Sequence, residues 1–160
     1  MANSQRRITK ELQECIDTPP QGMSVSLPSE SDYRKWDVVL RGPPGTPYAG
    51  GIYNISVTLP LEYPFKAPQV NFTTRIYHPN VTNDSLGNIC LGLLKPDTWK
   101  PASRMRAVLE AVRQLLVEPN PEDPLEARIA DEYRNNRAEF DKNVKSYVAR
   151  YAKGGSSSSK

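Results

Sequence analysis

Two cysteines and one histidine are all the soft metal ligands among 160 residues, fewer than the cluster of about four donors that a structural zinc site uses. No metal is expected. Two thiols are also poor disulfide material in a reducing compartment, so Cys15 and Cys90 are expected to be free. Long apolar runs are missing as well. Nothing approaches the roughly 20 residues of a membrane span, and the opening "MANSQRRITKELQECI" lacks the apolar centre of a secretory leader. The expected setting is therefore soluble and cytoplasmic and/or nuclear, with no membrane partner. Charge of one sign is scarce. A net charge of +3 falls short of the basic stripe that marks nucleic-acid binding, and "SQRRITK" and "RYAK" near the two ends read as solvated helix faces. The glycine-rich "RGPPGTPYAGG" has no lysine and leads into a strand, which excludes a Walker-type phosphate loop and leaves its glycines as turn residues.

What is present is globular. With 38% hydrophobic and 24% charged residues, the chain suits one domain with one core. Ile8, Leu12, Cys15 and Ile16 recur at helical spacing over residues 4–16, with Arg6, Arg7, Lys10 and Glu11 off that stripe. Cys15 reads as a small core hydrophobe, and "DTPPQG" ends the helix. Period-2 alternation then predicts strands in "KWDVVLRG" (Trp36, Val38, Leu40 inward) and "IYNISVTLP" (Tyr53, Ile55, Val57, Leu59 inward), with "VSLPS" and "QVNFTT" as weaker ones. Short connections between them predict an antiparallel meander. "YPFKAP" is a rigid corner at which Tyr63–Pro64 is a candidate cis bond.

After residue 100 the period changes. Met105, Val108, Leu109, Val112, Leu115 and Leu116 form a helical stripe with Ser103 as a candidate cap. "PNPEDP" breaks it, and Asp123-Pro124-Leu125-Glu126 reads as a capping box opening another helix. Phe140, Val144, Tyr147, Val148 and Tyr151 mark the last one. The fold class is α+β: an N-terminal helix, a four-stranded antiparallel meander, a long active-site loop, then three helices. Residues 1–152 form the domain, and 153–160, with "GGSSSSK", read as a flexible tail. About thirty residues between the last strand and the 105–116 helix show no strong period. A loop of that length inside a compact domain is usually functional, and this one holds His78, Asn80, Cys90 and Trp99.

In order along the chain, "YPFKAP", "TTRIYHPNV", "GNICL" with Trp99 nine residues beyond Cys90, and "EPNPEDPL" resemble the ubiquitin-conjugating enzyme family over residues 4–152. The resemblance implies that Cys90, flanked by Leu91, takes ubiquitin or a related modifier from an activating enzyme as a thioester. A substrate lysine or a ligase cysteine then receives it, with ATP used upstream and no cofactor on this chain. A thiolate leaves readily, whereas on the order of one lysine in two thousand is neutral at pH 7, so the amine needs help. Asp123, beside Leu125, resembles the acidic residue that orients the incoming lysine, although it could equally cap a helix. Asn80 resembles the asparagine that donates to the oxyanion or stiffens the loop. His78, Pro79 and Trp99 carry structural roles by the same resemblance, and a single histidine before a proline in a turn is a poor partner for a cysteine-protease thiolate.

Partner surfaces follow from the resemblance too. Arg6, Arg7 and Lys10 match the patch that meets the activating enzyme, and Phe65, Pro101 and Ala102 match the patch that ligases grip, Phe65 being equally readable as core. Met23 and Ser24 lie where a second, non-covalent modifier can bind. The implied state is a monomer, and the rival readings are a carrier of a ubiquitin-like protein or a non-catalytic module of the same fold. Two departures stand out. Gly92 replaces an aspartate common in members that discharge readily onto lysine, and nine residues separate Asn80 from Cys90, which looks slightly long and leaves the distance from Asn80 to the thioester open.

Overall fold

Alternation builds the sheet first. In the computed structural model, which describes residues 2–153, the chain runs α1 (Ala2–Asp17), β1 (Met23–Ser26), β2 (Lys35–Arg41), β3 (Ile52–Thr58), β4 (Gln69–Phe72), α2 (Met105–Val117), α3 (Ala127–Asn135) and α4 (Arg137–Tyr151). The "GGSSSSK" stretch expected to be flexible lies outside the described residues. The four strands pair antiparallel in chain order, β1-β2-β3-β4. Trp36 opposes Val57, Val38 opposes Ile55 and Leu40 opposes Tyr53, while Phe72 and Val70 continue the same rows. All are buried. A one-residue slip in register would turn that row to solvent, so burial itself holds the pairing.

The same core takes the inner faces of the helices. Met105, Val108, Leu109, Val112 and Leu116 of α2 are essentially inaccessible, as are Ile8 and Cys15 of α1 and Phe140 and Val144 of α4. At about 1.5–3 kcal/mol per large apolar side chain, the α2 stripe alone contributes on the order of 10 kcal/mol gross. Tyr63–Pro64 is cis, and the indole of Trp99 donates to Pro64 O at 2.7 Å, pinning the corner to the loop after Cys90.

Four local expectations are corrected. Ile16 is exposed, so the α1 stripe ends at Cys15, and Glu11, read as off-stripe, is buried. Its carboxylate accepts from Met105 N (2.7 Å), Tyr63 Oη (2.9 Å) and Arg7 Nε (2.7 Å). Ser103 therefore does not cap α2. Arg104 occupies the cap position without a side-chain bond, and the first-turn donor of Met105 is satisfied across the core by Glu11. Asp123 does not open α3 either. That helix starts at Ala127 behind Glu126, because the N–H groups of Leu125 and Glu126 both point to Pro79 O, at 2.8 and 3.0 Å. Met23 faces the core and only Ser24 reaches the open sheet face, as period-2 geometry requires. The Met23 half of the non-covalent surface is withdrawn.

Candidate active site

His-Pro-Asn organises the site. His78 is fully buried, with Nδ1 accepting from Asn80 N–H at 2.9 Å. Nε2 stands 2.8 Å from Leu115 O, and since a carbonyl only accepts, the ring is the Nε2–H tautomer. Burial pushes its pKa down to about 4, so the imidazole is neutral and fully engaged. Both ring nitrogens are occupied, Nε2–H by Leu115 O and Nδ1 by Asn80 N–H, so neither is offered to Cys90. Pro79 O then anchors Leu125 and Glu126.

Asn80 stitches two further segments together. Its side-chain carbonyl accepts from Asn120 N at 2.9 Å, and its amide donates to Asn120 O (2.8 Å) and Asp123 O (3.0 Å). Its main-chain carbonyl holds Cys90 N–H at 2.8 Å. With both amide donors on main-chain carbonyls and the residue fully buried, the loop-stiffening role is the one this geometry supports. A contact to an oxyanion requires one of those donors to let go. The long Asn80-to-Cys90 segment costs the site no proximity. Val81 bridges Ile89, and the surplus turns at Asp84, whose carboxylate accepts from Leu86 N and Gly87 N. Gly87 sits at φ 58° where an added Cβ would lie 1.8 Å from Phe72 O, so only glycine lets this turn dock on β4.

Cys90 emerges partly accessible, with Sγ 3.4 Å from Asp123 Oδ2. The same oxygen pairs with the ammonium of Lys95. Burial, then the hydrogen bond and negative charge of Asp123, push the thiol upward against the opposing pull of Lys95. Asp123 is lowered by its bonds to Lys95 and Cys90. The site thus combines a reachable sulfur, a carboxylate and a cation on one rigid platform. Chemically this suits reversible acyl transfer to sulfur followed by attack of an amine or a second thiol.

Leu91, next in chain to Cys90, is buried, while Leu125, two residues beyond Asp123, is exposed. Gly92 is exposed at the start of a 3₁₀ turn (Gly92–Leu94) whose two leucines are half-buried against the core, and it leaves open space where a side chain would project. Lys95 was missed, because an exposed loop lysine carries no sequence signal. Glu11 was missed although its spacing, i+3 from Ile8 and i−4 from Cys15, belongs to the buried stripe.

The surface candidates divide. Arg6 and Lys10 are exposed on α1, but Arg7 is committed to Glu11, Pro101 O and Ser103 O. Phe65 is 76% exposed and Leu61 79%, with Pro101 and Ala102 also open. The core reading of Phe65 is excluded. Among the described residues no His, Cys, Asp and Glu cluster could hold a metal ion, and no helix is long and apolar enough to cross a membrane.

Comparison with known proteins covers the same ground. Residues 7–148 match the model of a family described as ubiquitin-conjugating enzyme. The chain is 46% identical over 151 residues to ubiquitin-conjugating enzyme E2 14 of Schizosaccharomyces pombe, covering 94% of this chain and 96% of that one. It is 40% identical over 152 residues to ubiquitin-conjugating enzyme E2 N of Drosophila melanogaster, covering 95% and 98%.

Proposed function

The chain belongs to the ubiquitin-conjugating enzyme family, and from that premise we propose that Cys90 carries ubiquitin as a thioester between an activating enzyme and a final acceptor. The observation that carries this reading is Cys90 Sγ, partly exposed and 3.4 Å from the Asp123 carboxylate on a platform held by Asn80.

In the loading step the Cys90 thiolate attacks the carbonyl of the activating enzyme's thioester. A new C–S bond forms, the old one breaks, and the departing thiolate belongs to the partner. In the discharge step an amine nitrogen adds to the Cys90 thioester, the carbonyl oxygen becomes an oxyanion, and collapse expels the Cys90 thiolate with loss of a proton from nitrogen. In this reading Asp123 accepts a hydrogen bond from that amine and holds its nitrogen toward the thioester carbonyl carbon. Asn80 fixes the loops around both. A cysteine acceptor depends less on such a carboxylate, because a free thiol is already a few per cent nucleophilic thiolate near pH 7 whereas a lysine amine is almost wholly protonated.

Arg6 and Lys10 would attract the activating enzyme, with opposite charge raising the association rate. Phe65 and Leu61, beside Pro101 and Ala102, form an apolar surface for ligases. Ubiquitin rather than a ubiquitin-like protein is the reading favoured by the relatives' names.

The test incubates the protein with activating enzyme, ATP and ubiquitin. A covalent adduct that a thiol reductant removes is expected, and Cys90→Ser should replace it with an ester that survives the reductant and yields to alkali. Absence of any adduct on the wild type overturns the reading.

A further inference from the structure

One amine already occupies the neighbourhood of the thiol. The main chain of Lys95 is anchored on both sides: its N–H closes the Gly92–Leu94 turn on Gly92 O at 3.1 Å, and its carbonyl accepts from Thr98 N and Trp99 N at 2.9 and 2.8 Å. From that fixed stem the ammonium pairs with Asp123 Oδ2, the oxygen that also takes the Cys90 thiol. The other ion pairs among the described residues involve neither Cys90 nor Asp123. An incoming lysine oriented by Asp123 would have to approach the same carboxylate.

We propose that Lys95 is an internal occupant of the acceptor-lysine position, which must leave Asp123 before an amine acceptor can be seated and which thereby favours discharge to a thiol. Asp123 raises the ammonium's pKa, so the occupant stays protonated and is a poor nucleophile itself. Gly92, one turn earlier, projects no carboxylate that would draw the ammonium away. The occupant is displaceable. Both side chains are about half exposed, 47% and 48%, and an exposed pair of this kind competes only weakly, which sets the expected effect at roughly two- to fivefold. The inference rests on the carrier reading and adds an acceptor preference to it.

The test charges wild type, Lys95→Ala and Lys95→Arg with labelled ubiquitin, removes ATP, then adds free lysine or free cysteine at graded concentrations and follows the loss of thioester. Lys95→Ala should raise the ratio of the lysine to the cysteine discharge constant roughly two- to fivefold, a ratio in which any change of Cys90 as leaving group, common to both acceptors, cancels. Lys95→Arg, which keeps a cation on Asp123, should behave as wild type. An unchanged or lowered ratio of lysine to cysteine discharge in Lys95→Ala overturns the proposal, and so does an arginine variant indistinguishable from alanine. If wild type forms no thioester, the carrier reading fails and this inference with it. If the thioester forms and the ratio does not move, only the occupant is refuted.

Discussion

At Cys90 three side chains share one small volume, and their charges decide how much thiolate is present. Asp123 accepts the thiol proton's hydrogen bond and repels the thiolate, burial adds to that, and Lys95 partly offsets it. The sign follows directly: with the thiol raised, less thiolate exists at a given pH, and the rise of reactivity lies on the alkaline side of an ordinary thiol. Asp123→Asn removes the negative charge, so the pH profile of iodoacetamide alkylation at Cys90 should move toward acid and the rate at pH 7 should increase. Peptide mass spectrometry separates this site from Cys15, which is buried, raised by desolvation and should stay unmodified in the native protein. A profile that stays where it was, or moves toward alkali, would contradict the electrostatic account. Asn80 belongs to the same scale: a residue readable as an oxyanion donor holds Asn120, Asp123 and Cys90 in register.

Between elements the decisive group is Glu11. One carboxylate on α1 satisfies the N-terminus of α2, the hydroxyl of Tyr63 at the "YPFKAP" corner and the guanidinium of Arg7. Arg7 in turn grips Pro101 O and Ser103 O. Removing the carboxylate leaves a buried N–H, a buried hydroxyl and a partly buried cation without their acceptor. Glu11→Ala should therefore destabilise by about 2–4 kcal/mol, read as a lowered urea midpoint at unchanged slope. A loss under about 0.5 kcal/mol, the size of an ordinary surface substitution, would show that these contacts are not what joins the elements. Asn136 illustrates the opposite case, a local cap: its side chain accepts from Glu139 N at the start of α4, an arrangement within reach of sequence reasoning.

Across the whole molecule the sheet and α2 share one buried core, while the loop between β4 and α2 carries the thiol and the corner carries the exposed Leu61 and Phe65. Trp99 joins them, since its indole bonds Pro64 O a few residues beyond Lys95. Phe65, at 76% exposure, contributes little to folding. Phe65→Ala should change stability by no more than about 0.5 kcal/mol yet weaken ligase binding by more than about 1 kcal/mol, at least fivefold in Kd. Titration calorimetry against a ligase domain, beside urea unfolding, checks both halves. Unaltered affinity would remove Phe65 from the proposed grip.

The sheet, its meander order and the buried faces of α1, α2 and α4 were legible from residues 8–15, 36–59, 105–116 and 140–144, because periods of 2 and 3.6 report which side chains meet a core whatever that core contains. The cysteine and the His-Pro-Asn turn were legible as motifs. Hidden from the sequence were Lys95 on Asp123, Glu11 as cap of α2, the start of α3 at Ala127 and the commitment of the Asn80 amide. Each of these joins groups distant along the chain, up to 94 positions apart for Glu11 and Met105. Local pattern says which way a polar group faces; only the folded path of the chain selects the donor or charge placed opposite it.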